Sequence, residues 1–265
     1  MEVGITREPA TLRFYCNICG KPSLTDVRRL TREGATCQTC GSTGRARAII
    51  RVLSTELFGD SLLLPDFPRH PEIRGLGMTD WEGYAVKLAE KFDYRNTYYH
   101  QEPKLDISAA SIASELMAND FIISSEVFEH VAPPVSRAFE NVWKMLKPGG
   151  VFVFTVPYGT QETTVEHFPE LNEFSIVEKD GSFVLRNKTK AGVVQEFNDL
   201  VFHGGPGSTL EIRVFAESAL IQHLKDAGFA DIKVHRTADL VHGIWWPEPW
   251  AFPISGRKTR SVEAL

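Results

Sequence analysis

No apolar run in this 265-residue chain is long enough to cross a bilayer. The first residues, "MEVGITREPATLRFYC", also lack the apolar core of a signal peptide, so a cytoplasmic location is expected. Basic residues are in the minority. Lys and Arg number 29 against 34 Asp and Glu, a formal net charge of -5, and no dense Lys/Arg face stands out. That balance argues against a surface built mainly for nucleic-acid phosphates. Cysteine is absent after residue 40; all four fall within the first 40 residues. In a reducing compartment, four clustered cysteines point to metal rather than disulfides. What remains is ordinary for a globular protein, with 43% hydrophobic and 24% charged residues, and long enough for one ample domain plus an appendage.

The cysteines form two knuckles, Cys16-Asn-Ile-Cys19-Gly20 and Cys37-Gln-Thr-Cys40-Gly41, with 17 residues between them. This is zinc-ribbon spacing, and four thiolates leave no open ligand position, so a structural Zn2+ on Cys16, Cys19, Cys37 and Cys40 is expected. The glycine after each second cysteine permits the tight turn that a knuckle needs. The following "GRARAIIRVL" carries Arg45, Arg47 and Arg51 between apolar positions at helical spacing, which reads as a solvated connecting helix rather than a phosphate-binding face. Three prolines in "LLLPDFPRHPE" mark a linker. The expected organisation is a ribbon plus connecting helix over 1–60, a linker over 61–72, and a main domain over 73–265 with an insertion at about 157–213.

From residue 73 short apolar strands alternate with helical stretches, which implies a Rossmann-like α/β fold with a mostly parallel sheet flanked by helices. "EIRGLGM" is the candidate first strand, running into a glycine turn; "EGYAVKLAEKF" is a helix with Phe92 on its apolar face; "NTYYHQ" is the candidate second strand. "DFIISSEVFEHV" opens with a strand, "PVSRAFENVWKMLKPGG" is an amphipathic helix with a Pro-Gly-Gly stop, and "VFVFTVPY" is a buried strand. "AESALIQHLKDAGFADIKVHRT" reads as helix, glycine stop and strand.

In order and spacing, "DFIISSEVFEHV", "WKMLKPGGVFVFTVP" and "ALIQHLKDAGFADIKV" resemble the class I S-adenosylmethionine-dependent methyltransferases, over residues 73–156 and 214–236. The resemblance implies a methyltransferase with S-adenosylmethionine as cofactor. Its glycine loop, an acid followed by G-x-G-x-G, is matched at Gly75 and Gly77; Ile73 stands at the acid and Thr79 at the third glycine. Thr79 or Asp80 is expected to cap the next helix. By position the resemblance also implies Glu102 near the cofactor ribose, Asp106 near the adenine amino group, and Ser125 and Glu126 at the methionine end. The alternative for Glu102 and Asp106 is a solvated loop carboxylate.

Residues 157–213 exceed what the basic fold needs and contain two hairpin turns, "EKDGS" and "KTKAGV"; such an insertion would wall the transfer site. Methyl transfer to oxygen or nitrogen calls for positioning and a base, for which His130, His167 and His203 are candidates, with Tyr158 at the end of the fifth strand as a substrate contact. The glycine-rich run from His203 to Gly207 is able to fold tightly against a ligand. "GIWWPEPWAFPI" reads as edge-strand packing, or as an aromatic platform for a sugar. The leading expectation is methylation of a small-molecule or glycan precursor acceptor. An RNA methyltransferase with the ribbon as a clamp, and a methyltransferase-fold binding protein without activity, are the alternatives.

Overall fold

The computed structural model describes residues 10–112, 115–179, 181–203, 205 and 207–259. Asp180 of the first hairpin turn, and Gly204 and Pro206 of the glycine-rich run, lie outside the described residues. Among those described, no helix is long and apolar enough to cross a membrane.

Two antiparallel strands, β1 (Thr11–Tyr15) and β2 (Pro22–Asp26), flank the first knuckle. The two knuckles repeat one geometry. Gly20 and Gly41 both sit at φ 72, and their N–H groups donate to Cys16 and Cys37 carbonyls at 2.8 and 2.9 Å. Helix α1 (Gly44–Phe58) follows, capped by Thr43, whose Oγ1 accepts from the Ala46 N–H at 3.1 Å, and ended by Gly59 in the left-handed region.

The central sheet is built from β3 (His70–Met78), β4 (Phe92–Thr97), β5 (Asn119–Ser125), β6 (Leu146–Thr155), β15 (Phe229–Val234) and β16 (Ile254–Lys258). Its order is β15-β16-β6-β5-β3-β4; the four strands from β6 to β4 are parallel, and β16 is antiparallel to both neighbours. Helices α3 (Ser136–Met145) and α4 (Glu217–Ala227) cover one face, where Phe139, Val142, Leu220 and Leu224 meet Ile122, Phe152 and Phe154. The alternate side chains Phe121, Ile123, Val151 and Val153 face α1 and α2 (Glu82–Lys91).

Four expectations change here. Helix α1 is no solvated connector: Ile49, Ile50 and Leu53 are fully buried against the sheet, in one cluster with Phe14, Cys16 and Cys37 of the ribbon. The proline-rich stretch is likewise packed, with Leu64 and Phe67 buried and β3 starting at His70, before the expected boundary. The second strand begins four residues early, directly where α2 ends, because Phe92 belongs to an aromatic cluster with Phe58, Phe67 and Phe121. Strand β16, between β6 and β15, makes the C-terminal aromatic segment a lead-in to an interior strand rather than an edge.

Between β6 and α4 runs the insertion. It comprises short strands β7 (Tyr158–Gly159) and β8 (Val165–Glu166), an antiparallel sheet of β9 (Glu173–Lys179), β10 (Ser182–Lys188) and β11 (Val194–Phe197), and the pair β12 (Phe202–His203) and β13 (Thr209–Leu210). Strand β14 (Arg213–Ala216) returns the chain, pairing with β7 and β8. Phe168, Leu171, Leu185, Leu210 and Ile212 give the insertion a small core of its own.

Candidate active site

In an open parallel sheet ligands bind beyond the carboxyl ends of the strands, where successive connections part to opposite sides. Here that point lies between β3, whose next strand is β4 on one side, and β5 on the other. A cavity of about 710 Å³ opens there, within the range of small-molecule sites. A second space of about 410 Å³ shares Thr79, Ser125 and Glu126 with it. Thr79 and Glu126, at the ends of β3 and β5, hold φ values of 56° and 57°, a region non-glycine residues seldom adopt. Two such residues side by side at a cavity mark a place where packing over-determines the backbone.

The structure brings Thr79, Asp106, Ser125, Glu126, His130 and His203 to the large cavity. Gly75, Gly77, Asp80, Glu102, Tyr158 and His167 do not line it. Gly75 and Gly77 fall within β3 rather than in a turn, which starts two residues later. A Cβ on Gly75 would meet the Phe121 ring at 2.1 Å, and one on Gly77 would meet Tyr94 Oη at 2.0 Å and Asp80 Oδ2 at 2.5 Å. These glycines therefore make room for aromatic packing across the strands. Thr79, standing at the third glycine, is the residue with the glycine-like backbone.

Neither Thr79 nor Asp80 caps α2, whose first turn has no side-chain cap. The Asp80 side chain turns inward instead, accepting from Tyr94 Oη, while its backbone exchanges hydrogen bonds with the Asn96 amide at 2.9 and 2.8 Å. Burial pushes its carboxyl up to about 7. Asp106 accepts from the Ser108 N–H and Oγ–H at 2.8 and 2.7 Å, a local turn at the cavity wall. Glu102 is exposed and accepts from the Lys104 N–H at 3.0 Å. Tyr158 is buried in the core, its Oη accepting from the Phe252 N–H at 3.1 Å.

The histidines converge at the other end of the cavity. His130 Nδ1 lies 2.8 Å from the Leu210 carbonyl, and its ring stands edge-on to His203 at 4.9 Å. Glu211 bridges His203 and His167, with oxygens 3.1 and 2.9 Å from their Nε2 atoms. Burial lowers the His130 pKa. Glu129 beside it is fully buried, and burial together with the charge of Glu126 pushes its carboxyl well above the usual range. Phe174, Ile176 and Ile212 of the insertion complete this wall.

At the ribbon, Cys16 Sγ lies 3.7 Å from Cys40 Sγ and Cys19 Sγ lies 3.6 Å from Cys37 Sγ. Four thiolates about 2.3 Å from a tetrahedral zinc ion stand about 3.8 Å apart, so the spacing fits such an ion. Ser42 and Ser23 hydroxyls approach Cys16 and Cys37 at 3.2 and 3.5 Å, and such outer contacts orient thiolate ligands. Beneath them lies Arg47, fully buried, donating to the Ser42 and Gly243 carbonyls and stacked 4.8 Å over Phe14.

Residues 78–154 match the family model of a methyltransferase domain. That stretch carries a methyltransferase domain. No curated protein matches it. Among solved structures it is similar to an S-adenosylmethionine-bound amino pentose methyltransferase, CalS10, from Micromonospora echinaspora. Identity there is 14% over 83% of this chain and 93% of that one, with a TM-score of 0.44. It is also similar to the sugar N-methyltransferase KedS8 from Streptoalloteichus sp., at 13% identity over 82% and 87% of the two chains, TM-score 0.46. A Burkholderia thailandensis 1,6-didemethyltoxoflavin-N1-methyltransferase is 14% identical over 80% and 79%, TM-score 0.42.

The methyltransferase domain does not form its pocket alone. Gly41, Thr43 and Arg45, from the ribbon and the start of α1, face Thr79, Trp81 and Glu126 across the smaller space. Arg45 donates to Ser125 Oγ and to Glu33, and Arg32 makes a two-pronged pair with Glu126 at 2.6 and 3.0 Å. Burial works against the Glu126 charge, but the two arginines hold its carboxyl below the usual range. Sequence alone hid these contacts, since 94 residues separate Arg32 from Glu126. A hint was present: arginines in an acidic chain, clustered just past the second knuckle.

Proposed function

We propose that this methyltransferase acts on a small-molecule or glycan precursor acceptor, with the cofactor lying between the ends of β3 and β5 and the acceptor against the insertion. One observation carries the reading: the cavity runs unbroken from Thr79, Ser125 and Glu126 to His130 and His203. Bound there, S-adenosylmethionine supplies an electrophilic methyl group. Thr79, Ser125 and Glu126 would hold its methionine end, and Asp106, with Tyr98 and Tyr99, its adenosine end. His130 and His203 would orient the acceptor and take its proton. Phe174, Ile176 and Ile212 would keep water from the transferring group. We also assign a structural Zn2+ to Cys16, Cys19, Cys37 and Cys40, on the sulfur spacing. An RNA clamp gains no support, because Arg45, Arg47 and Arg51 all bond to groups of the chain itself.

Methyl-labelled cofactor incubated with the protein and separate small-molecule and RNA fractions tests the proposal. Label entering the small-molecule fraction supports it. Label entering RNA, and lost at raised salt, would replace it with the clamp.

A further inference from the structure

Glu129 is fully buried, and among the described residues neither of its carboxylate oxygens has a side-chain hydrogen-bond partner. An uncompensated buried carboxylate is costly, and one left so in a site needs a cation or a proton. Its nearest ionisable neighbour is no donor in the form the structure favours. His130 Nδ1 faces the Leu210 carbonyl at 2.8 Å and so carries the ring proton, leaving the Nε2 lone pair 3.5 Å from Glu129 Oε1. Two electron-pair donors thus face each other. His203 adds a third. Its Nε2 donates to Glu211 at 3.1 Å, which leaves Nδ1 with a lone pair.

Ligand atoms of Glu129, His130 and His203 lie within 4.8 Å of one another. Around a tetrahedral ion, nitrogen and oxygen ligands stand about 3.3 Å apart, so modest side-chain rotation brings the three together. The surroundings are those of a metal site. Each histidine has its second nitrogen held, one by a backbone carbonyl and one by a carboxylate, and His167 Nε2 steadies that carboxylate at 2.9 Å. His130 and His203 line the cavity, so the remaining coordination positions face the acceptor end.

We propose that Glu129, His130 and His203 bind a divalent transition-metal ion whose open positions take an oxygen of the acceptor. Two imidazoles and one carboxylate favour zinc, iron or manganese over magnesium or calcium. An ion there would select hydroxyl- or carboxylate-bearing acceptors and ease loss of a hydroxyl proton to solvent, replacing the two histidines as the group that draws off the proton. The acceptor role rests on the proposed methyl transfer; the ion's binding does not.

The test therefore reads metal and not turnover. Co2+ is titrated into the full chain with its ribbon already zinc-loaded, and visible absorption is followed. One further equivalent is expected, with weak bands and no intense thiolate band. Glu129→Gln and His203→Ala should each weaken that binding about tenfold or more while the ribbon zinc stays in place. Because His203 lies on an insertion strand at the cavity wall, its variant guards against a folding defect at Glu129. No extra equivalent in wild type, or wild-type affinity in both variants, would overturn the proposal and leave Glu129 as a protonated carboxyl.

Discussion

Gly77 touches Tyr94 and Asp80 where a side chain would have to stand, and that contact gives the glycine its reason. Gly77→Ala should cost about 1–3 kcal/mol by overpacking, read as a lower melting temperature whether or not cofactor is present. The glycine pair was plain in the sequence; its meaning was not, because a loop that cradles a ligand and a strand that clears an aromatic ring ask for the same residue. Asp80 offers a pH test. Its carboxyl rises from the ordinary 3.8 to about 7 on burial, so its stabilising contribution is full below 3.8 and lost as pH climbs through 7. Asp80→Asn keeps the Tyr94 contact without the charge. At about pH 8.5 it should melt a few °C above wild type, and the gap should narrow as pH falls and close near about pH 4; a pH-independent gap would contradict this.

Among the elements, α1 and the ribbon carry the larger lesson. Cysteine spacing made the knuckles legible, and periodicity made α1 legible as a helix. Which side of it is wet depends on partners far along the chain, and the buried Arg47 disguised the face that packs on the sheet. The same limit hid β16, an antiparallel strand that joins the sheet only after 98 other residues have passed since β6. Since Arg32 and Arg45 reach from the ribbon side to Glu126 and Ser125, metal loss should be felt at the cofactor site. Stripping the ribbon metal with a strong chelator should weaken S-adenosylhomocysteine binding at least tenfold and merge with loss of the α1 core; unchanged affinity in metal-free protein would disconnect the two.

For the molecule as a whole, alternation of strands and helices made the parallel α/β plan legible, and the three motif segments carried the resemblance to a methyltransferase. The cavity wall built by the insertion was legible only as surplus length. Its residues, Phe174, Ile176, His203 and Ile212, come from strands whose pairing no local pattern specifies. The central claim is that the space between β3 and β5 is a working cofactor site. Calorimetric titration of the intact, zinc-loaded chain with S-adenosylhomocysteine tests it most directly, comparing wild type with Thr79→Trp, a substitution at an exposed position that would fill the cavity. The account predicts about one site per chain in wild type and none in a variant that melts at the same temperature. No binding by folded wild type, or equal binding by both proteins, would contradict it.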